Sequence, residues 1–455
     1  VSHLLVDVGS TFTKAALVDE GGGLLAGAAV PTTAGPGRDV LDGIVRVCRA
    51  LGPGAPDPLA DGPGSDRVLV CSSAGGGLRL AVVGYEREVT AEAGHRVGLS
   101  AGAKVVHVAA GRLTVAGVAA LRAARPDVVL LVGGTDGGNA EVLVHNARRL
   151  ARSRVGAPVV VAGNAEAREE VAAELAATGR RVRLTDNVLP RIGVVDPGPA
   201  RRAIREVFLG HVIGGKGLSR GPRFAGLVRA ATPDAVLAGV EVLAEVVGGD
   251  VLVVDVGGAT TDVYSVLTPQ GEDATLRKHV VATLWHARTV EGDLGMRWGA
   301  PGVLEAAAAE ALPGTDDPAL AAWVRQVHDD PGRLPLDAAE QAHDLTLATL
   351  AATVAARRHG RPGAPGEAPR PLRDVRLLLG SGGVLRHAGP GAAQQVLGAV
   401  AGDHGGGWRP PAAARTRVDA AYLLFAAGLL APVRPELARA VAAQVADSVA
   451  DSATV

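Results

Sequence analysis

Two stretches of the chain place a carboxylate at the end of an apolar run, then glycine, then small hydroxyl residues. They are residues 4–14 (LLVDVGSTFTK) and 252–262 (LVVDVGGATTD). Asp7 or Asp255 ends the run, and Gly9 or Gly257 opens a turn with little side-chain bulk. Such a glycine permits positive φ and close approach of the backbone to a ligand. Turn N–H groups can then point at phosphate oxygens, with Ser10, Thr11, Thr13, Thr260 and Thr261 adding hydroxyl donors. Lys14 adds a point charge toward the same phosphates. Neither aspartate favours a bare phosphate. Both make sense if a divalent cation, held through water, lies between carboxylate and phosphate.

A single Asp-x-Gly hairpin is merely a turn, so the weight falls on its recurrence. The copies are 248 positions apart, and LLVGG at 130–134 returns as LLLGS at 377–381 with a shift of 247. The agreement of the two offsets predicts two pseudo-equivalent halves. No Walker A spacing is present. The segment after each turn reads as strand, where a dinucleotide-binding fold requires a helix. A second glycine-rich element, Gly380, Ser381, Gly382 and Gly383, follows an apolar strand and precedes a helix. It could seat a flat base and ribose against backbone, or serve only as a strand-to-helix turn. Residues 133–139 (GGTDGGN) read equally as a second ligand site or as a helix-capping turn, with Asp136 or Asn139 as cap. For 292–295 (GDLG), capping of the next helix is favoured over closure on a ligand.

These motifs need rigid elements to carry them. Short β-branched runs alternate with Ala-rich amphipathic stretches, which predicts an α/β protein with mostly parallel sheets. Strands are expected at 4–8, 15–18, 67–71, 105–108, 128–132, 159–162, 251–255, 263–266 and 376–379. Helices are expected at 40–51, 165–177, 199–209, 303–312, 318–327, 345–357 and 418–430, with loops at 52–65 and 360–371. The length of 455 residues suits two to four domains at about 150 residues each. Acidic and basic residues nearly cancel, to a net charge of −1, which argues against a non-specific nucleic-acid binder. Aromatic residues make up only 2%, so base-stacking platforms are excluded and the core must be Val, Leu and Ala. Two cysteines, Cys48 and Cys71, cannot form a disulfide framework, and Cys71 reads as a core residue. With no leader and no run long enough to span a bilayer, a cytoplasmic protein without membrane partners is expected.

Taken together, these residues resemble the ASKHA superfamily of actin, Hsp70-type chaperones and sugar kinases. That resemblance implies two duplicated actin-like (RNase H-like) α/β halves with ATP in a cleft between them. The halves would be 1–248, with an extra α/β segment at about 86–195, and 249–432, followed by a helical tail at 433–455. On that match Asp7 and Asp255 organise Mg²⁺ and the attacking water. Gly257, Gly258 and Thr260 hold phosphates within a motif that runs to Asp262, and Gly380–Gly383 pack on adenosine. The segments at 7–14, 71–74, 133–139, 161–164, 255–262 and 291–297, in that order, look like the GlmL/MutL family. Its members are accessory components of adenosylcobalamin-dependent glutamate mutase. The implied activity is an ATP-using reactivating factor whose partners are mutase subunits. Two alternatives remain: a small-molecule kinase, with Asp136 or Asp196 as the nominated base, and a scaffold that binds nucleotide for stability alone.

Overall fold

The structure, a computed structural model, describes residues 2–34, 37–60, 65–74, 78–85, 94, 97–98, 103–192, 194, 196–208, 210, 218–267, 286–361, 369–388 and 391–447. Among them the strands are, in chain order, β1 (Ser2–Val8), β2 (Phe12–Asp19), β3 (Leu24–Pro31), β4 (Val68–Ser72), β5 (Arg79–Gly84), β6 (Lys104–Ala110), β7 (Val128–Leu131), β8 (Val159–Val161) and β9 (Val182–Leu184). They continue as β10 (Val228–Ala231), β11 (Val251–Val256), β12 (Thr261–Val266), β13 (His286–Glu291), β14 (Leu377–Ser381) and β15 (Arg415–Val418). The chain divides into two compact units, one holding Val1–Ala235 and the other Val236–Thr268 and Trp285–Val455.

In the first unit, β1 is buried at every position after Ser2, with Leu4, Leu5, Val6 and Val8 as its apolar run, as suits a strand covered on both faces. Its odd and even residues face different layers: Leu4, Val6 and Val8 join the main core of the unit, while Leu5 and Asp7 point the other way. The sheet runs β3-β2-β1-β4-β10. β1, β2 and β3 form an antiparallel meander, and β4 and β10 add in parallel. The helix Val40–Ala50 packs its buried Val40, Ile44 and Val47 on this sheet, and the Asp39 carboxylate caps it by accepting the Leu41 N–H.

The second unit repeats the plan. Its sheet runs β13-β12-β11-β14-β15, again an antiparallel three-strand meander followed by two parallel strands. Leu252, Val254 and Val256 face its core. The 23-residue helix Ala338–Gly360 lies against β11 and β12, and five of its thirteen buried residues are alanine. Small side chains let helix and sheet approach closely, which is how a core with so few aromatics can fill its space.

A third sheet, β6-β5-β7-β8-β9, belongs to the first unit and is parallel throughout. It revises the second of the two sequence echoes. LLVGG lies at the end of β7 in this extra sheet, whereas LLLGS lies in β14. The counterpart of β14 is β4, since each pairs in parallel with the carboxylate-bearing strand of its own sheet. The duplication stands on the sheet orders and on the first echo. The second offset matched because any buried parallel strand ending in a tight turn reads as an apolar run plus glycine.

Several elements lay below the reach of periodicity. β3, β5, β9, β10, β13 and β15 were not expected, and neither was the 16-residue helix Thr232–Val247. The helix expected from 418 begins only at Leu424, because Val418 closes β15 and Asp419 instead accepts the N–H groups of Leu423 and Leu424. Part of the loop expected at 360–371, residues 362–368, lies outside the described residues, as do 61–64 of the earlier loop. No described helix is long and apolar enough to cross a membrane.

Candidate functional site

Each carboxylate hairpin is fixed by register. Asp7 lies across from Lys14 and Val8 across from Thr13, with Cys71 beside Asp7 on β4. In the second unit Asp255 lies across from Asp262 and Val256 across from Thr261, with Ser381 beside Asp255 on β14. Cross-strand partners share a face. The face turned from the main core therefore gathers Asp7, Lys14 and Cys71 in one unit, and Asp255, Asp262 and Ser381 in the other.

The two turns are built alike. The Gly9 N–H donates to the Phe12 carbonyl at 3.0 Å, and the Gly257 N–H to the Thr260 carbonyl at 2.9 Å. A Cβ at Gly9 would stand 2.7 Å from that carbonyl oxygen, and one at Gly257 2.8 Å from its own. Neither glycine has a positive φ, contrary to the expectation from sequence. The requirement is steric: the tight bend brings a carbonyl to the place a side chain would occupy. Ser10 and Thr11 of the first turn are exposed, as is Gly258 of the second, while Thr260 is half-buried.

Thr13 and Thr261 do a different job from the exposed hydroxyls. Both are fully buried. Thr32 Oγ1 donates to the Gly9 carbonyl at 2.9 Å, which leaves it to accept from Thr13 Oγ1 at 3.0 Å. Thr261 Oγ1 donates to the Leu294 carbonyl. These hydroxyls brace the turns from beneath. The segment around Leu294 covers the second turn: the Met296 N–H donates to the Gly257 carbonyl, and those of Arg297 and Trp298 to the Gly258 carbonyl. Residues 292–295 thus buttress the turn, and Asp293 is held by Arg358 at 2.9 Å. The following helix, Ala300–Ala309, has Gly299 at its N-cap and no side-chain cap, so the capping role expected for this segment is replaced by packing.

The carboxylates differ in their surroundings. Asp7 is 2% exposed and accepts hydrogen bonds from Thr232 Oγ1 and, at 3.6 Å, from the Cys71 thiol. Burial, with the neighbouring Asp7 charge next, pushes the Cys71 thiol far above its ordinary range. It is therefore an inert core thiol. Asp255 is half-buried. Its neighbour Asp262 accepts from Arg288 at 3.1 Å and from Thr260 Oγ1 at 3.3 Å. Arg288 also lies over the ring of Tyr264, whose hydroxyl burial pushes up. The oxygen-rich set of Asp255, Asp262, Thr260 and Ser381 is of the type a hard divalent cation accepts, directly or through water.

In the glycine-rich loop only some positions are available to a ligand. A Cβ on Gly380 would meet Leu385 at 2.8 Å, inside the core. Gly382 has φ +102°, and its Cβ would stand 2.1 Å from the Val256 carbonyl oxygen, so the loop presses directly on the end of β11. Ser381 is buried beside Asp255, whereas Gly383 is exposed with open space around it. Residues 133–139 form the loop that follows β7 of the extra sheet in the first unit. There Asn139 Oδ1 accepts from the Glu141 N–H at the start of a helix, and Asp136 ties the loop to the Ala165 N–H and Asn187. Sequence reasoning missed Thr232, 225 positions from its carboxylate, and Arg288. It also missed the buried Arg297–Asp344 pair, with both bonds at 2.9 Å, that anchors the segment over the second turn. Only Arg297 had a sequence signal, as the last residue of the 291–297 motif.

Among solved structures, the nucleotide-free acetone carboxylase is 13% identical, covering 95% of this chain and 70% of its own, at a TM-score of 0.37. The ATP-dependent caprolactamase from Pseudomonas jessenii is 16% identical, covering 94% and 70%, at a TM-score of 0.36. At these scores the fold rests on the sheet orders above. Sequence is far more decisive. Protein MutL of Clostridium tetanomorphum is 35% identical over 463 residues, covering 96% of this chain and 97% of that protein. The family profile described as MutL protein matches residues 3–446. Whole-length identity of this order, with a family match that takes in both hairpins, leaves one conclusion: the chain belongs to the MutL protein family.

Proposed function

We propose that the protein binds MgATP through its two carboxylate-tipped hairpins, hydrolyses it slowly, and uses the nucleotide cycle to act on an adenosylcobalamin-dependent mutase as a reactivating factor. The observation that carries this reading is the duplicated bend: two sheets of the same strand order, each with an aspartate one residue before a turn whose glycine avoids the same carbonyl. Two chemically matched turns with exposed backbone suit a polyphosphate better than a single one does.

In this reading Ser10, Thr11, Gly258 and Thr260 meet phosphate oxygens, with Gly9 and Gly257 shaping the turns and Lys14 supplying positive charge. Thr13 and Thr261 act as braces, and Ser381 with Gly383 borders the adenosine. A magnesium ion near Asp7 and Asp255 would neutralise phosphate charge. Asp255, the more accessible of the two carboxylates, orients the attacking water. Nucleotide-driven closure of the two halves is the motion offered to the partner. The mutase partner is suggested by the resemblance to the GlmL/MutL family and is part of this proposal. The kinase alternative draws no support from its nominated bases. Asp136 is engaged by Ala165 and Asn187, and Asp196 by the Gly198 N–H.

The test is ATP hydrolysis by the full chain, alone and with glutamate mutase carrying inactivated cobalamin. Slow basal turnover that rises with the mutase supports the reading. Turnover that responds only to a small hydroxyl acceptor would replace it with the kinase.

A further inference from the structure

The second unit holds a cavity of about 520 Å³ that the nucleotide chemistry does not use, lined by Val247, Arg373, Asp374, Val375, Arg376 and Arg415 together with Ala413. It opens at the edge of the sheet where β14 and β15 begin: Arg376 precedes β14, and Arg415 pairs with its first residue, Leu377. Ser381, the neighbour of Asp255, ends the same strand. Five residues of strand, roughly 16 Å at about 3.3 Å each, separate the two places.

The lining is unbalanced in charge. Three guanidinium groups meet one carboxylate, in a chain whose overall charge is −1. Asp374 contacts Arg373 at 3.4 Å, and among the described residues neither Arg376 nor Arg415 has an acidic partner. Both are exposed. Two like charges held beside one cavity repel each other unless an anion sits between them. The backbone also makes room for one of them. A Cβ on Gly249 would stand 2.3 Å from Arg376 Cδ, so the stem of Arg376 passes close over Gly249. The turn before it, at Gly248, has φ +65°, where glycine is again favoured. The Arg376 N–H is fixed on the Asp250 carbonyl at 2.9 Å, and the Arg415 N–H on the Arg376 carbonyl at 2.9 Å. The two arginines are therefore tied to each other through backbone at one edge of the cavity.

From this the geometry points to a second anion site, for a small multivalent phosphate, held by Arg376 and Arg415 with Arg373 assisting. The planar guanidinium fork matches phosphate oxygens two at a time. The volume falls in the range of about 300–1,000 Å³ typical of small-molecule sites. Asp374 limits affinity by competing for Arg373 and repelling the anion.

The probe is inorganic tripolyphosphate, titrated calorimetrically into the full chain. The expected result is saturable binding that weakens about tenfold or more in R376Q/R415Q and tightens in D374N, while basal ATP hydrolysis of R376Q/R415Q is unchanged. The opposite signs separate a site from general damage to the fold, and D374N alone tests the idea if the double variant does not fold. Equal affinity in wild type and R376Q/R415Q would overturn the proposal. So would the absence of binding at millimolar tripolyphosphate, or weaker binding in D374N. Tighter binding of citrate than of tripolyphosphate would overturn the assignment to phosphate.

Discussion

The hairpins of the two units share strand order, turn length and the glycine that clears a carbonyl, yet they surround their aspartates differently. Asp7 is sealed beneath the surface, fastened by Thr232 and Cys71 and set across from Lys14. Asp255 is half-buried and set across from a second carboxylate, Asp262, which Arg288 holds. Geometry has been kept while electrostatics has diverged. A carboxylate locked by two donors in a dry site keeps its position but has little freedom to act. A half-buried one beside a second acid is better suited to hold a cation or orient water. We therefore propose that the second unit carries the chemistry and that the first supplies a fixed anchor. Thr232 adds to that role. It opens the helix Thr232–Val247, which runs past the boundary of the first unit at Ala235, so the seat of Asp7 is continuous with the segment linking the two units.

The largest effect that could break this division is on turnover. Asp255→Ala is expected to lower ATP hydrolysis by about 100-fold or more with the fold intact, read as phosphate release beside a thermal unfolding curve. Hydrolysis surviving in Asp255→Ala but lost in Asp7→Ala would reverse the assignment. Next in size is a test of sameness. Gly9→Ala and Gly257→Ala should each destabilise by about 1–3 kcal/mol, because each Cβ meets a carbonyl oxygen inside 3 Å. A large cost at one and none at the other, in urea melts, would deny that the turns are equivalent.

Thr232→Val should cost about 1.5–3 kcal/mol, the range for a hydrogen bond to a buried charge. Thr260→Val should cost less, since Asp262 keeps Arg288 and the lost bond is long at 3.3 Å. Equal costs would mean that Thr232 fastens Asp7 no more tightly than Thr260 fastens Asp262. Acid offers the mildest contrast. His359 of the second unit is fully buried between Thr289 and Ser265, and burial, helped by Arg370, holds its ring well below the ordinary value of 6.5. Its contribution to stability is fully present above about pH 6.5 and is lost as pH falls toward the folded value, by up to about 1.4 kcal/mol per pH unit. Between pH 7 and pH 5 the unfolding midpoint should therefore drop, and His359→Gln should flatten that slope. A slope that persists in the variant would place the acid-sensitive group elsewhere.

Much of this was legible in the sequence because it is written in short range. An apolar run ending in Asp-x-Gly, repeated once, is enough to expect both hairpins, and β1, β2, β11 and β12 fall where the runs do. The family is equally local, since its six motifs are contiguous. Edge strands such as β9 and β15, four residues or fewer and partly exposed, carry no pattern strong enough to be seen alone. They exist because a neighbouring strand offers unpaired hydrogen-bonding groups.

The sequence by itself determined the duplication, the placement of Asp7 and Asp255 at strand ends, and the need for glycine beside them. It could not say why glycine was needed, nor that LLVGG belonged to another sheet, nor that Thr13 and Thr261 face inward. Those depend on which carbonyl, strand or hydroxyl comes alongside from far along the chain. Tertiary structure alone brought Thr232 onto Asp7 and Arg288 onto Asp262, and left Asp7 buried and Asp255 half-buried. Burial and partner charge are properties of the packed neighbourhood, and no spacing along the chain encodes them.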